Sequence, residues 1–302
     1  MTLDEYLQQE AAIRPNVHWH DGVLWKQSAA GCAQPQYPLQ VISPGSARPA
    51  PRRSWIRYSH LIPGPGAGGA VRTRLLLQGD RLRDYSMELL DGTRRKAIRK
   101  AVRAGCRIEP IPDLEPHRDD LLEIYASNAD RNLHGLPGQW YRDHPEEWWS
   151  HLRRETSLAG REWTGAFLDG RLVAFSYACL VDHTLHLLVT KCHTDHLNSR
   201  PVDLLGFEVI RGGRKRPECR RIDVGWSIPV PPSIDWRKIS LGFEPVELPV
   251  FVHANPLAMG LIRGVLFAAG PLLKLGPKDA NRGLLFKART IRKRLESLSE
   301  DA

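Results

Sequence analysis

The sequence predicts an α+β (mixed α/β) fold, a central and mostly antiparallel sheet flanked by helices, and three features predict it. Residues 163–192 read as a three-stranded meander, because Asp169-Gly170 sits between two apolar runs and a second turn falls near Asp182-His183. An apolar helix, "PVDLLGFEVIRGG", follows, and then the strand "RRIDVG". A short helix and a last strand or strand pair in "DWRKISLGFEPVELPVFV" complete the order meander, helix, strand, helix, strand.

Ahead of the meander the elements are shorter. The first fifty residues are polar and Pro-rich, with "VLWKQ" as their best strand. "PGPGAGGA", 63–70, lacks the Gly-Lys-Ser/Thr ending of a phosphate-cradling loop and reads as a flexible connection. "VRTRLLLQ" is a strand. "RRKAIRKAVRAG", 94–105, is a helix with Asp91 and Thr93 as cap-type residues and Gly105 at its end. Its expected apolar stripe is Ala97, Ile98, Ala101 and Val102. After the strand "CRIEPI", Pro116 and Pro145 suit the first turns of two helices. Trp148 and Trp149 on the second fit a core better than a base-stacking platform. In the helix that follows the meander, Ser199 suits the cap, Pro201 the first turn and Gly212-Gly213 the stop.

At 302 residues the chain is long enough for one large domain or two modest ones, and its net charge of +9 favours anionic partners. Five cysteines without CxxC spacing, and an N-terminus without signal-peptide order, point to a reducing, cytoplasmic setting. The one long apolar run, 257–275, contains Arg263, three glycines and Pro271, which weakens it as a membrane span and favours a core or surface-lying helix. Cys192, His193 and His196 have poor spacing for zinc and no second ligand pair, so no metal is expected.

The basic helix packs six cations into ten positions. Arg95/Arg99, Lys96/Lys100 and Arg99/Arg103 are i,i+4 like-charge pairs, each unfavourable by a few tenths of a kcal/mol. Arg95, Lys96, Arg99, Lys100 and Arg103 are therefore candidates for anion binding, with a solvated face as the plainer alternative. The basic "FKARTIRKR" near the C-terminus allows the same two readings.

Alternation along "HTLHLLVT" puts Thr184, His186, Leu188 and Thr190 on one strand face. His186 is thus a candidate general base, since imidazole titrates near neutrality, although a hydrogen-bonded structural histidine fits the pattern too. Tyr177 on the adjoining strand is a candidate to orient substrate or protonate a leaving group, or else a core aromatic. Asp223 closes its strand, where a carboxylate can hold a substrate amine or accept N–H bonds in the turn at Gly225.

Three stretches, "RRKAIRKAVRAG", "NSRPVDLLGFEVIRGG…RRIDVG" and "DWRKISLGFEP", in this order over about residues 85–252, resemble the GNAT (N-acyltransferase) superfamily and its FemAB-like and CelD-like branch. The resemblance implies an N-terminal lobe over 1–110 ending in the basic helix and open to reading as a degenerate second copy. It further implies a GNAT-like transferase domain over 111–255 and a basic helical tail over 256–302. It implies two central strands that splay apart around an acyl donor, acyl-coenzyme A as co-substrate or an aminoacyl-tRNA, with a small amine as acceptor. In the family a Gly-rich loop holds the donor pyrophosphate; here that place is "CHTDHLNSRP", without glycine. Thr190, Lys191, Ser199 and Arg200 are left as the donor-binding candidates. Direct amine attack on the thioester needs neither metal nor covalent intermediate. A non-catalytic polyanion-binding protein on the same scaffold is the alternative from another class.

Overall fold

The chain divides into two compact units, one formed by Met1–Leu3 with Arg74–Val246 and the other by Asp4–Thr73 with Glu247–Ala302. The computed structural model describes residues 1–27, 33–37, 39–40, 42, 70–131, 136–227 and 232–250. The loop at 63–69, the apolar run at 257–275 and the basic C-terminal stretch lie outside them.

Helix α1 (Leu3–Ile13) precedes a three-stranded antiparallel sheet, β1 (Val17–His20), β2 (Val23–Gln27) and β3 (Ala33–Pro35), in that order. The expected strand "VLWKQ" is β2. Its Val23 and Trp25, with Ala33 and Ile42, make a small core.

The remaining elements are β4 (Ala70–Gln78), α2 (Gly79–Arg83), α3 (Gly92–Arg103), β5 (Arg107–Pro110), α4 (Arg118–Arg131), α5 (Gly138–Asp143), α6 (Pro145–Thr156), β6 (Arg161–Leu168), β7 (Arg171–Val181), β8 (Thr184–Cys192), α7 (Pro201–Arg214), β9 (Arg221–Trp226), α8 (Pro232–Ser240) and β10 (Glu244–Val250). They build a seven-stranded sheet in the order β10-β4-β9-β8-β7-β6-β5. The β8–β9 pair is parallel, whereas β4–β9, β5–β6, β6–β7 and β7–β8 are antiparallel. The meander closes on two tight turns with left-handed central residues, Asp169-Gly170 (φ 50° and 79°) and Asp182-His183 (φ 43° and 64°). Such turns match the twist of the strands they join.

Helices cover both faces of this sheet. One face buries Leu77, Leu185 and Ile222 against α3 and α7, which contribute Ile98, Leu205 and Ile210. The other buries Phe175, Tyr177 and Trp163 against Ile124 of α4 and Trp148 and Trp149 of α6. The tryptophan pair is therefore core. Each fully buried large side chain of this kind contributes roughly 1.5–3 kcal/mol of apolar transfer.

Three local expectations are corrected. On α3 the buried residues are Arg94, Ile98 and Ala101, and Val102 is 57% exposed. The helix is rotated because Arg94 finds a buried carboxylate, so its stem occupies the stripe that Val102 was expected to share. Helix α7 is capped by Arg200 in the left-handed region (φ 61°), while Ser199 ends the preceding 3-10 turn Thr194–Ser199. Nor do Gly212 and Gly213 stop α7, which runs on to Arg214. A Cβ on Gly213 would lie 2.8 Å from Leu185 Cδ2 and 3.0 Å from Ile222 Cδ1, so this glycine lets helix and sheet approach.

Candidate active site

The parallel junction of β8 and β9 is short. Thr184 faces Arg221, Leu185 faces Ile222, His186 faces Asp223, and there the pairing ends. Beyond it β8 stays with β7 as far as Ala174↔Cys192, and β9 stays with β4 as far as Arg74↔Trp226. The sheet thus opens between two adjacent strands, and the residues at the apex are His186 and Asp223.

Their side chains meet. His186 Nδ1 lies 2.7 Å from Asp223 Oδ2. Arg74 of β4 grips the same carboxylate twice, Nε to Oδ1 at 2.8 Å and Nη2 to Oδ2 at 2.5 Å, and the Gly225 N–H adds a bond to Oδ1 at 2.9 Å. All three side chains are buried, with Arg74, His186 and Asp223 at 3%, 5% and 2% exposure. Burial alone would raise the Asp223 carboxyl. The His186 hydrogen bond and the charge and hydrogen bonds of Arg74 outweigh it and hold the group well below the usual carboxylate range. An ionised carboxylate only accepts, so His186 presents Nδ1–H to it, and in the neutral ring the lone pair then falls on Nε2.

A bulge shapes the β9 side. Arg74 and Leu76 are two residues apart but pair with Trp226 and Asp223, three apart, and Gly225 within that span has φ +92°. The Arg74 guanidinium lies 4.7 Å over the Trp226 ring. From α8, Lys238 Nζ reaches the Trp226 carbonyl at 3.5 Å. Burial lowers its ammonium pKa, with the charges of Asp235, Asp223 and Arg74 also acting on it.

A bulge on β8 corrects the predicted strand face. Tyr177 pairs with Val189 but Ala178 pairs with Leu187, leaving Leu188 as the extra residue. His186 therefore shares its face with Val189 and Lys191, and Thr190 turns to the other side, where its Oγ1 lies 3.4 Å from Ser176 Oγ. Tyr177 packs in the α4/α6 core, 4.6 Å from the Trp163 ring, and its hydroxyl donates to the Glu155 carbonyl at 3.4 Å. Lys191 donates to Asn128 Oδ1 at 3.4 Å and stands 4.7 Å over the Tyr125 ring; burial and the charge of Arg131 lower its pKa.

Where β8 ends and α7 begins, a second ionic group forms. Asp203 in the first turn of α7 is buried and accepts from Arg94 Nη1, while Arg94 Nε and Nη2 bond Ser240 Oγ at 3.0 and 2.6 Å. Arg237 Nε stands 3.6 Å from the same carboxylate, within electrostatic range of Arg94, Cys192 and Arg200. Arg200 itself is exposed. Two guanidiniums thus meet one acid in the first turn of a helix, with Arg200 at the cap of the same helix.

The exposed cations of α3 stand apart from this. Lys96, Arg99, Lys100 and Arg103 are exposed and form no ion pair with a described residue, and Arg95 donates to the Glu88 carbonyl at 3.4 Å. Among the described residues there is no cluster of three metal-ligating side chains, and no helix is long and apolar enough to cross a membrane.

Of the predicted site residues, the structure brings His186 and Asp223 into contact and leaves Tyr177, Thr190 and Lys191 elsewhere. Sequence reasoning missed Arg74, Arg94, Asp203, Arg237 and Lys238. The available signal was a cation inside each apolar pattern: Arg74 precedes three leucines in β4, and Arg94 opens the helix stripe.

A sheet that parts between two parallel strands over a buried ionic cluster, with cations at the next helix N-terminus, defines an acyltransferase fold. Residues 91–228 match the model of the acetyltransferase (GNAT) domain. Solved structures agree in fold. The C-terminal domain of a protein assigned as a lysylphosphatidylglycerol synthetase from Agrobacterium fabrum is 13% identical, with TM-score 0.54 over 87% of this chain and 97% of that one. FemX is 9% identical, with TM-score 0.53 over 85% and 92%. A tandem GNAT protein from the clavulanic acid biosynthesis pathway is 14% identical, with TM-score 0.50 over 83% and 87%. No curated protein matches the chain. The expected superfamily, with the fold of its FemAB-like and CelD-like branch, is thereby met.

Proposed function

We propose that the protein is an N-acyltransferase that moves an acyl group from acyl-coenzyme A to an amine by direct attack. The observation that carries this reading is the end of β8–β9 pairing at His186↔Asp223, since the opening beyond it suits a thioester lying between the strands. The amine nitrogen attacks the carbonyl carbon, the tetrahedral intermediate collapses, the C–S bond breaks and the thiolate leaves. His186 takes the amine proton on Nε2; Asp223, held by Arg74, positions the ring and balances its charge once protonated. Past the apex, the β9 side of β8 pairs with no strand among the described residues, and its N–H groups there suit the developing oxyanion.

The α7 N-terminus fits donor phosphates by a route other than a glycine loop. Arg200 and Arg237 supply charge-assisted donors, and Asp203 is already neutralised by Arg94. Thermal unfolding with acetyl-coenzyme A tests this reading. A ligand at 100 times its Kd adds about 2.7 kcal/mol of stability, so a rise in Tm that saturates supports the proposal. No rise at millimolar donor sinks it.

A second reading, an aminoacyl-tRNA donor, is favoured by the exposed cations of α3 and by the fold shared with FemX. Four phosphate contacts by Lys96, Arg99, Lys100 and Arg103 would give a log–log salt slope of about −3 to −4. Binding of tRNA without such a slope, or none at all, removes this alternative.

A further inference from the structure

We propose that Arg74 recognises a carboxylate on one of the two reactants, at the foot of the β8/β9 opening. The inference rests on the acyl-transfer reading and specifies the chemistry of its substrates. Arg74 commits Nε and Nη2 to Asp223, while Nη1 is buried with no acceptor among the described residues. A buried guanidinium N–H without a partner is costly, and native folds rarely keep one unless something else binds it.

The surroundings fit an anion. Arg74 sits opposite Trp226 at the end of the bulge, and a Cβ added to Gly225 within that bulge would meet nothing within 4 Å, so the bulge borders open space at Gly225. Lys238 places a second cation at the Trp226 carbonyl. Asp223 is the carboxylate these cations share, and it already receives His186, Arg74 and the Gly225 N–H. Asp235 also acts on Lys238, so what the apex has to spare is a donor, Arg74 Nη1, rather than net charge. One guanidinium nitrogen and one ammonium match the two oxygens of a carboxylate, and provide too few donors for the three terminal oxygens and double charge of a phosphate.

A carboxylate has two sources, an amino-acid-like acceptor or a dicarboxylic acyl donor. Titration calorimetry on the wild-type chain distinguishes them with two matched pairs. N-acetylglycine against N-acetylglycinamide reports the acceptor side, and succinyl-coenzyme A against butyryl-coenzyme A reports the donor side. The acid member of one pair is expected to bind at least about tenfold more tightly, the size of one charged hydrogen bond. Arg74→Lys, which keeps a cation for Asp223 but moves the free donors, is expected to lose that preference. Equal binding within both pairs, including binding of neither member, overturns the proposal, as does a preference that Arg74→Lys retains. The wild-type comparison stands even if the variant fails to fold. Failure of coenzyme A itself to bind counts against the donor reading alone, because the N-acetylglycine pair does not depend on it.

Discussion

His186 and Asp223 form the last rung of the β8–β9 junction, and the 2.7 Å bond between their side chains joins the two strands at the point where the backbone ceases to. Asp223 is thus both a tie across the sheet and the orienter of the candidate base. Its folded-state pKa is below its unfolded value, so its contribution is fully present above the unfolded pKa near 3.8 and lost as pH falls below that. Urea unfolding from pH 6 to pH 2 is expected to show a steep loss of stability below about pH 4. In Asp223→Asn that acid-dependent part is expected to vanish. At neutral pH the variant is expected to lose about 3–5 kcal/mol, because it strands Arg74 without its partner charge.

His186→Gln keeps the shape of the ring position but removes the basic nitrogen. Steady-state kinetics are expected to show kcat lower by about 10²–10⁴, with the donor KM nearly unchanged. An unchanged kcat would assign His186 a structural role only.

Arg94 and its neighbours on α3 are expected to behave oppositely. Arg94→Met leaves the buried Asp203 with Arg237 Nε at 3.6 Å but without its hydrogen-bonded cation, and is expected to cost about 3–5 kcal/mol in denaturant titrations. Replacing Arg99 with Gln removes like-charge pairs with Arg95 and Arg103 and is expected to be neutral or to stabilise by a few tenths of a kcal/mol. The opposite ranking would mean that Arg94 is not the buried anchor of this helix.

The glycine pair in α7 separates packing from backbone freedom. Gly213→Ala puts a methyl against Leu185 and Ile222 and is expected to lose about 1–3 kcal/mol. Gly212→Ala meets nothing within 4 Å and is expected to gain about 0.5–1 kcal/mol from helix propensity. Thermal unfolding of the two single variants reads the difference.

The meander was legible because its turn residues are local signals: Asp169-Gly170 and Asp182-His183 adopt the positive φ that such turns demand. The β8–β9–α8 order was legible for the same reason, since periodicity and prolines mark each element. What escaped were features set by long-range contacts. A bulge at Leu188 inverted the face of Thr190, and no strand pattern announces where an extra residue falls. Val102 was misplaced because the partner that buries Arg94 lies 109 positions away in sequence. Arg74 meets Asp223 across 149 positions, so the residue that holds the site together reads locally as one cation in a leucine-rich strand.

The most direct test of the opening between β8 and β9 is a crystal structure with bound coenzyme A. The expected result is pantetheine density between Leu187–Val189 of β8 and Val224–Trp226 of β9, with the pyrophosphate on Arg200 and Arg237. A ligand bound elsewhere, with β8 and β9 hydrogen-bonded beyond His186 and Asp223, would contradict the account.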